Sequence, residues 1–426
     1  MNSRLIICFF SLYLALHIIY FFLPALPFMS DCRPYYLWAQ NNVETETFYP
    51  SRLNNDLQRE GVVAPVYINM EIVVLKLWNN PKAIFLLNAL LNISQLILVF
   101  FITRAIHGEL AATIAGGLYI IYLNNLGLVL LNFAELAFGV FLLLSVFLLI
   151  TQRKLIFLLL SGFSLGLAIG IRPTGLAFIA ALGIITIWKI FHKKFESKKL
   201  LPFTVGFFIY ILIAGFYTKY TIDDFLFMST SGPPNILLST GDSANGKFNE
   251  SVLNRPELQR STYKERNRAF LSYAVQWIQQ HPFQWIGEFP QKIYSTYITD
   301  DIAISQLLLT QQWSFDRYVK AYRRDELGQE FNLEPFWFRV AFLFLNVFHQ
   351  LFYLLLITLF ILQTYVFFKQ RTWSEETVLL YFIIFIGASM TLLSSIGCLR
   401  YKYNFIIISM ILSSPSLVPI FYKRKH

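Results

Sequence analysis

The sequence predicts an all-α, polytopic helical membrane protein. Apolar windows recur along the chain at about 20 residues each, the length a helix needs to cross the hydrocarbon core. Hydrophobic residues make up 56% of the chain and charged residues only 14%, against about a quarter charged in an ordinary soluble domain. No segment alternates with period two, as a membrane barrel strand must. Helices are then the structure that satisfies backbone groups in lipid.

The N-terminus, Met1-Asn2-Ser3-Arg4, leads into an apolar run from Leu5 to Phe28. A cleaved signal peptide has an apolar stretch of about 7–15 residues. This longer run is read as a retained first span, although "ALPFMS" resembles a cleavage site. The spans expected are 5–28, 83–103, 110–126, 128–150, 155–171, 174–191, 201–218, 336–367, 377–396 and 404–421. Basic residues mark alternate connections: Arg4, Arg104, Arg153 and Lys154, then Lys189 to Lys199, then Lys369 and Arg371, then Lys423 to Lys425. If every span crosses once, all of these share one face, the cytoplasmic one, and both ends of the chain lie there. That bias accounts for much of the net charge of +10, so no nucleic-acid partner is inferred.

The other face receives two large polar segments, 29–82 and 219–335. The domain division expected is 1–218 (a transmembrane module with the first outer loop), 219–335 (an outer segment) and 336–426 (the last spans). Within the outer segment, "RNRAFLSYAVQWIQQ" (266–280) reads as an amphipathic helix, with Phe270, Ala274, Trp277 and Ile278 on one side. "PFQWIGEFPQKIYSTY" (282–297) follows, rich in interfacial aromatics, and such helices are expected on the outer leaflet surface. Three cysteines argue against a disulfide scaffold. Cys32 and Cys398 fall on the same side, which permits a bridge without predicting one.

The chemistry candidates gather on that outer face. Asp31, in "MSDCRPYYLWAQ" (29–40), stands where the first span ends, beside Arg33, Tyr35 and Tyr36. Alone it is as readily a helix cap as a general base at the apolar–water boundary. Glu135, in "LNFAEL" (131–136), is either a boundary residue reaching water or a functional acid, since ionisable groups in spans tend to face cavities. Arg172, in "GIRPTG" (170–175), is a turn arginine on lipid headgroups or an anion-binding fork. Arg400, Tyr401 and Lys402, in "CLRYKYN" (398–404), put positive charge on the outer face against the general bias. Binding a lipid phosphate is one reason for that. His281 is read first as a helix end before Pro282, and Lys292 belongs to the same outer segment. No HxxxH or CxxC spacing, Walker motif or GxGxxG occurs, so no metal site or cofactor is indicated, although a divalent metal is not excluded.

Several stretches resemble the polytopic GT-C glycosyltransferases, and among them the bacterial mannosyltransferase-like group related to lipopolysaccharide core and aminoarabinose transferases. "SDCRPYYLWAQNN" is similar to that group's first-loop motif, and "APVYINM" (64–70) stands where a Pro-containing segment usually occurs. "LNFAEL" resembles its next outer acid. "LSGFSLGLAIGIRPTGLAF" (160–178) is the strongest match, a glycine-rich span ending in "RPT". "NILLSTGDSANGKF" (235–248), "HPFQWIGEFPQKIY" (281–294) and "SSIGCLRYKYNF" (394–405) resemble its outer loop, its "HP…K" helix and its closing "RY" motif. The chain departs from the pattern beside Asp31, where Ser30 and Cys32 replace a second acid, and at 64–70, which lacks a double proline.

The resemblance implies a GT-C-like bundle in a bacterial inner membrane, with its site facing the periplasm. The donor would be a polyprenyl-phosphate-linked sugar, and the acceptor a hydroxyl of a glycolipid, glycan or protein. Asp31 would act as the base, with Glu135 orienting it or the sugar. Arg172, Arg400, Lys402 and Tyr401 would hold the lipid phosphate. Tyr35, Arg33, His281 and Lys292 would line the donor or acceptor pocket. Membrane lipids are the other expected partners. The alternatives are a transporter or flippase, which would place polar groups near the midplane, a polysaccharide polymerase or ligase, and a non-catalytic assembly factor.

Overall fold

The computed structural model describes residues 3–23, 32–53, 61–192, 197–241, 246, 250–260, 262–310, 313–370, 374–394 and 397–419. Among them no strand occurs. The helices in chain order are α1 (Ser3–Phe22), α2 (Cys32–Glu44), α3 (Pro65–Leu77), α4 (Lys82–His107), α5 (Glu109–Ile121), α6 (Leu123–Val129), α7 (Glu135–Thr151), α8 (Leu155–Ile171), α9 (Leu176–Phe191) and α10 (Ser197–Ile222). The outer segment holds α11 (Gly232–Leu238), α12 (Glu250–Leu253), α13 (Tyr263–Gln280), α14 (Pro282–Gly287), α15 (Phe289–Tyr297), α16 (Phe315–Arg323) and α17 (Leu327–Glu330). The chain then returns through α18 (Phe336–Gln370), α19 (Glu375–Ser394) and α20 (Tyr403–Ser413).

Five stretches are long and apolar enough to cross a membrane: 82–107, 173–191, 198–222, 336–370 and 375–394. The pair α5–α6 makes a sixth if counted as one span, bent by 57°. Residues 10–22 of α1 and helices α7 and α8 are apolar but shorter. The chain is an integral membrane protein. Two expected spans look different in the structure. The run expected at 128–150 starts on the last two residues of α6, breaks, and is helical again from Glu135, and the one at 404–421 is the 11-residue α20 followed by a 3-10 turn at Ser414–Leu417. At about 1.5 Å per residue α20 is far too short to span. Every one of its residues is buried, so its uniform hydrophobicity reflects the interior of the bundle rather than lipid.

Broken backbone inside a membrane bundle needs other partners for its polar groups, and α4 supplies them. Asn88 donates to the Leu131 carbonyl (2.8 Å) and Asn92 to the Asn125 carbonyl (2.7 Å). Gln95 accepts from the hydroxyls of Tyr119 (2.9 Å) and Tyr403 (3.1 Å). This polar stripe ties α5, α6 and α20 to one helix and lets the chain turn twice between 121 and 135. On the other side of the bundle, α8 packs on α7 and α10. Its glycines Gly162, Gly166 and Gly170 recur every four residues, and a Cβ on any of them would collide with Phe203, Tyr210 or Val66. Small residues at this spacing let two helix backbones approach closely.

The outer segment has a small core of its own, with Leu237, Val252, Leu258 and Phe270. The amphipathic helix expected at 266–280 is α13. Thr262 caps it by accepting from the Glu265 N–H (3.3 Å), and Phe270, Ala274 and Trp277 face inward.

Candidate active site

Arg172 owes its place to Pro173. A residue before proline is pushed out of the helical region. Arg172 is accordingly extended (φ −138°, ψ 121°) and ends α8, while Pro173–Gly175 starts a 3-10 turn into α9. The guanidinium thus leaves the helix end and meets Glu135, the first residue of α7, at 2.5 Å. Arg400, on the 3-10 turn Leu399–Lys402, brings its Nε to 3.9 Å from the same carboxyl oxygen. It also lies over the rings of Phe133 (5.4 Å) and Tyr401 (5.7 Å). The Glu135 side chain is 4% exposed, that of Arg172 20% and that of Arg400 16%. Two guanidiniums therefore share one carboxylate, which leaves net positive charge in a partly desolvated place.

These side chains line a cavity of about 110 Å³. Tyr35 and Tyr401 complete its charged end. The rest of the lining is uncharged and mixed: Ser229, Ser231 and Asn235 from the start of the outer segment and Thr391, Ser394 and Asn404 from α19 and α20, among apolar residues such as Phe138, Ile171 and Phe405. Two acceptors on the lining, Glu135 Oε2 and Asn404 Oδ1, are buried without a hydrogen-bond partner. Such orphans are costly unless a ligand satisfies them.

The structure thus brings together Glu135, Arg172, Arg400, Tyr401 and Tyr35 from four separate stretches of sequence. Asp31 lies outside the described residues; the next residue, Cys32, opens α2 and is buried. Cys32 and Cys398 are not joined by a disulfide.

Lys402 is a correction. It does not line the cavity but is fully buried on the far side of its turn, 3.3 Å from Asp300, which in turn meets His349 at 3.1 Å. It also donates to the Thr299 carbonyl and sits over the Tyr353 ring. Burial pulls the lysine below its usual pKa against the attraction of Asp300. For Asp300, burial works upward, but Lys402 and His349 outweigh it and hold the carboxyl below its usual value.

Lys292 is likewise fully buried away from the cavity. It lies 3.7 Å from Glu288 and donates to the Leu392 carbonyl (3.4 Å), which fastens α15 to α19. Burial raises the Glu288 carboxyl and lowers the Lys292 ammonium. His281 ends α13 and stacks on Trp277 (5.2 Å), as a helix-end residue would. Arg33 is exposed on α2 and does not line the cavity.

Sequence reasoning missed Glu71. This acid, in "VYINMEIVVL", is completely buried on α3. The available signal was a lone carboxylate with apolar residues on both sides at helical spacing. It also missed the hydroxyl wall, because serines and threonines scattered over 229–231 and 391–394 form no motif.

Among the described residues no group of three His, Cys, Asp or Glu could hold a metal ion. Among the described residues the cavity offers one carboxylate, flanked by two guanidiniums, where a divalent cation prefers several oxygen ligands.

No protein-family model matches the chain, and no curated protein does. Solved structures do resemble it. The oligosaccharyltransferase of Archaeoglobus fulgidus in complex with Zn and sulfate superposes with a TM-score of 0.54 at 14% identity, over 98% of this chain and 49% of that one. Its apo form gives 0.52 at 14%, over 97% and 51%. The form tethered to an acceptor peptide containing the NVT sequon gives 0.52 at 14%, over 99% and 50%. The chain therefore spans about half the length of these neighbours. At that identity the likeness speaks for architecture: this chain has the GT-C glycosyltransferase fold.

Proposed function

We propose that the chain is a membrane glycosyltransferase that moves a sugar from a polyprenyl-phosphate donor to a hydroxyl of a glycolipid, glycan or protein, with inversion. The observation that carries this reading is the pair Arg172 and Arg400 around one carboxylate, at the wall of a cavity in a chain of GT-C fold. Asp31 takes the proton of the acceptor hydroxyl as that oxygen attacks the anomeric carbon. The bond from that carbon to the phosphate oxygen breaks, and the polyprenyl phosphate departs with the bonding pair. Arg172 and Arg400 meet its growing negative charge. Hydrogen bonds to charged groups contribute about 1.5–3 kcal/mol each, so both matter to the barrier. Glu135 holds the Arg172 guanidinium, and its free oxygen, with that of Asn404, accepts from sugar hydroxyls.

The reading keeps the bacterial mannosyltransferase-like group, an inner-membrane location and a periplasmic site as its finer parts. They rest on the motifs quoted above and on the basic residues at the opposite end of the spans. A second reading, transfer of a preassembled glycan, is favoured by the neighbours being oligosaccharyltransferases. Two labelled donors, a polyprenyl phosphate carrying one sugar and one carrying a preassembled glycan, supplied with a hydroxyl acceptor to the reconstituted protein, test both. Release of the single sugar supports the first reading, and release of the glycan alone the second. Asp31→Asn is expected to slow release by about 10²–10⁴-fold, the contribution of a positioned base. Undiminished turnover in that variant contradicts the mechanism.

A further inference from the structure

At the end of the bundle away from Arg172, a second cavity of about 100 Å³ opens between α7, α9, α10 and α19. A single water needs only about 10–15 Å³. The spans 173–191, 198–222 and 375–394 all begin or end beside it, which puts it at the level where lipid headgroups meet water. Its polar side carries Thr186 and Lys189 from α9, Lys199 from α10, and Glu375 and Glu376 from α19. Leucine and isoleucine side chains from all four helices form the rest. Lys189 pairs with Glu375, and each has the sign its helix end favours, a lysine in the last turn of α9 and a glutamate in the first turn of α19. Lys199 breaks that rule: it is a cation in the first turn of α10, where the helix dipole disfavours one. It is half-buried, as is Glu376. Among the described residues neither side chain has an ion pair or a hydrogen bond.

We propose that this cavity binds a phospholipid whose headgroup carries both a phosphate and a primary ammonium, as that of phosphatidylethanolamine does. The Lys189–Glu375 pair neutralises itself. Among the described lining residues that leaves one cation and one anion, Lys199 and Glu376. A headgroup with one charge of each sign matches them. Lys199 donates to the phosphate oxygens, and Glu376 accepts from the ammonium. The acyl chains run on along apolar side chains such as Leu182 and Leu379. A purely anionic headgroup sets its charge against Glu376, and so does a polyprenyl phosphate, which has no ammonium. The site is therefore distinct from the cavity at Arg172 and stands independently of how that cavity is read.

The test is native mass spectrometry of the full, delipidated chain in detergent, titrated with phosphatidylethanolamine, phosphatidylglycerol or phosphatidylcholine. The wild type is expected to bind the first about tenfold more tightly than the second, which lacks the ammonium, or the third, whose quaternary ammonium has no N–H for Glu376. Lys199→Gln binds phosphatidylethanolamine about tenfold less tightly, and Lys199→Arg keeps wild-type binding. Glu376→Gln loses the preference over phosphatidylglycerol. Lys154→Gln and Arg172→Gln, which remove a cation from an exposed connection and from the other cavity, leave binding unchanged. Equal binding of the three lipids in the wild type overturns the proposal. So does wild-type binding in Lys199→Gln, the result for a lysine that only snorkels to water. Tighter binding of phosphatidylglycerol marks a site that reads lysines alone, and loss of binding in Arg172→Gln puts the lipid in the other cavity; either overturns it. Soluble phosphoethanolamine separates a lipid from a free phosphate ester. Binding about tenfold weaker than the lipid's or less supports the lipid, and equal binding overturns that assignment.

Discussion

At the scale of single residues, the lesson lies in where charges find partners. Lys402 and Arg400 sit two positions apart on one short turn, yet one faces a buried aspartate and the other the cavity. The sequence displays both charges on an outer turn but not Asp300, which lies about a hundred residues earlier and holds the lysine. Breaking a buried pair costs about 3–5 kcal/mol because the remaining charge is left uncompensated. Lys402→Met is expected to lower stability by that order in detergent denaturation, and Lys402→Met with Asp300→Asn to recover most of it. Additive losses would show that the two groups are not coupled. Glu71 gives a pH signature. Its folded pKa is raised, so the folded state keeps a proton that the unfolded chain releases. That contribution is complete below the unfolded pKa of about 4.3 and is lost as pH rises toward the folded value. The melting temperature of Glu71→Gln relative to the wild type is therefore expected to climb as pH rises above the ordinary carboxylate range. A flat difference would mean that the carboxyl is already ionised in the fold.

Elements were legible wherever one helix crosses the bilayer on its own. The expected spans at 83–103, 174–191, 201–218, 336–367 and 377–396 correspond to helices within a few residues. The failures came where interior and lipid look alike in sequence. An apolar run such as 404–412 reads the same whether it faces acyl chains or the packed side chains around α20. The turn between α6 and α7 was hidden because the asparagines that satisfy it lie on α4. The glycine-rich α8 was recognisable, and its packing explains how it aims Arg172. Gly162→Ala drives a Cβ into the Phe203 backbone. It should cost about 1–3 kcal/mol, as overpacking does, and weaken polyprenyl-phosphate binding by displacing the helix end. Gly183→Ala, where nothing lies within 4 Å, should leave binding unchanged and gain about 1 kcal/mol of helix propensity. Equal behaviour of the two variants, read by melting and titration, would mean that close approach of α8 and α10 does not set the site.

For the whole molecule, two ends of one bundle carry different chemistry. Residues 173–191 form a span of about 28 Å at the usual rise. Arg172 stands at one end of it, and Lys189, paired with Glu375, near the other. The Lys189–Glu375 pair and the cavity are therefore at opposite ends of that span. The convergence itself was only partly legible. Six of the seven stretches that suggested it contribute a lining residue, namely Tyr35, Ala64, Glu135, Arg172, Asn235 and Arg400, whereas the stretch holding His281 and Lys292 packs elsewhere. Motif order along a chain says little about which side of a helix each residue occupies.

The most direct measurement is a cryo-electron microscopy structure of the chain in lipid nanodiscs with bound polyprenyl phosphate. The account predicts phosphate density between Arg172 and Arg400, on the wall shared with Glu135. Density at the Lys189 end of the bundle, or a headgroup bound outside this cavity, would contradict it.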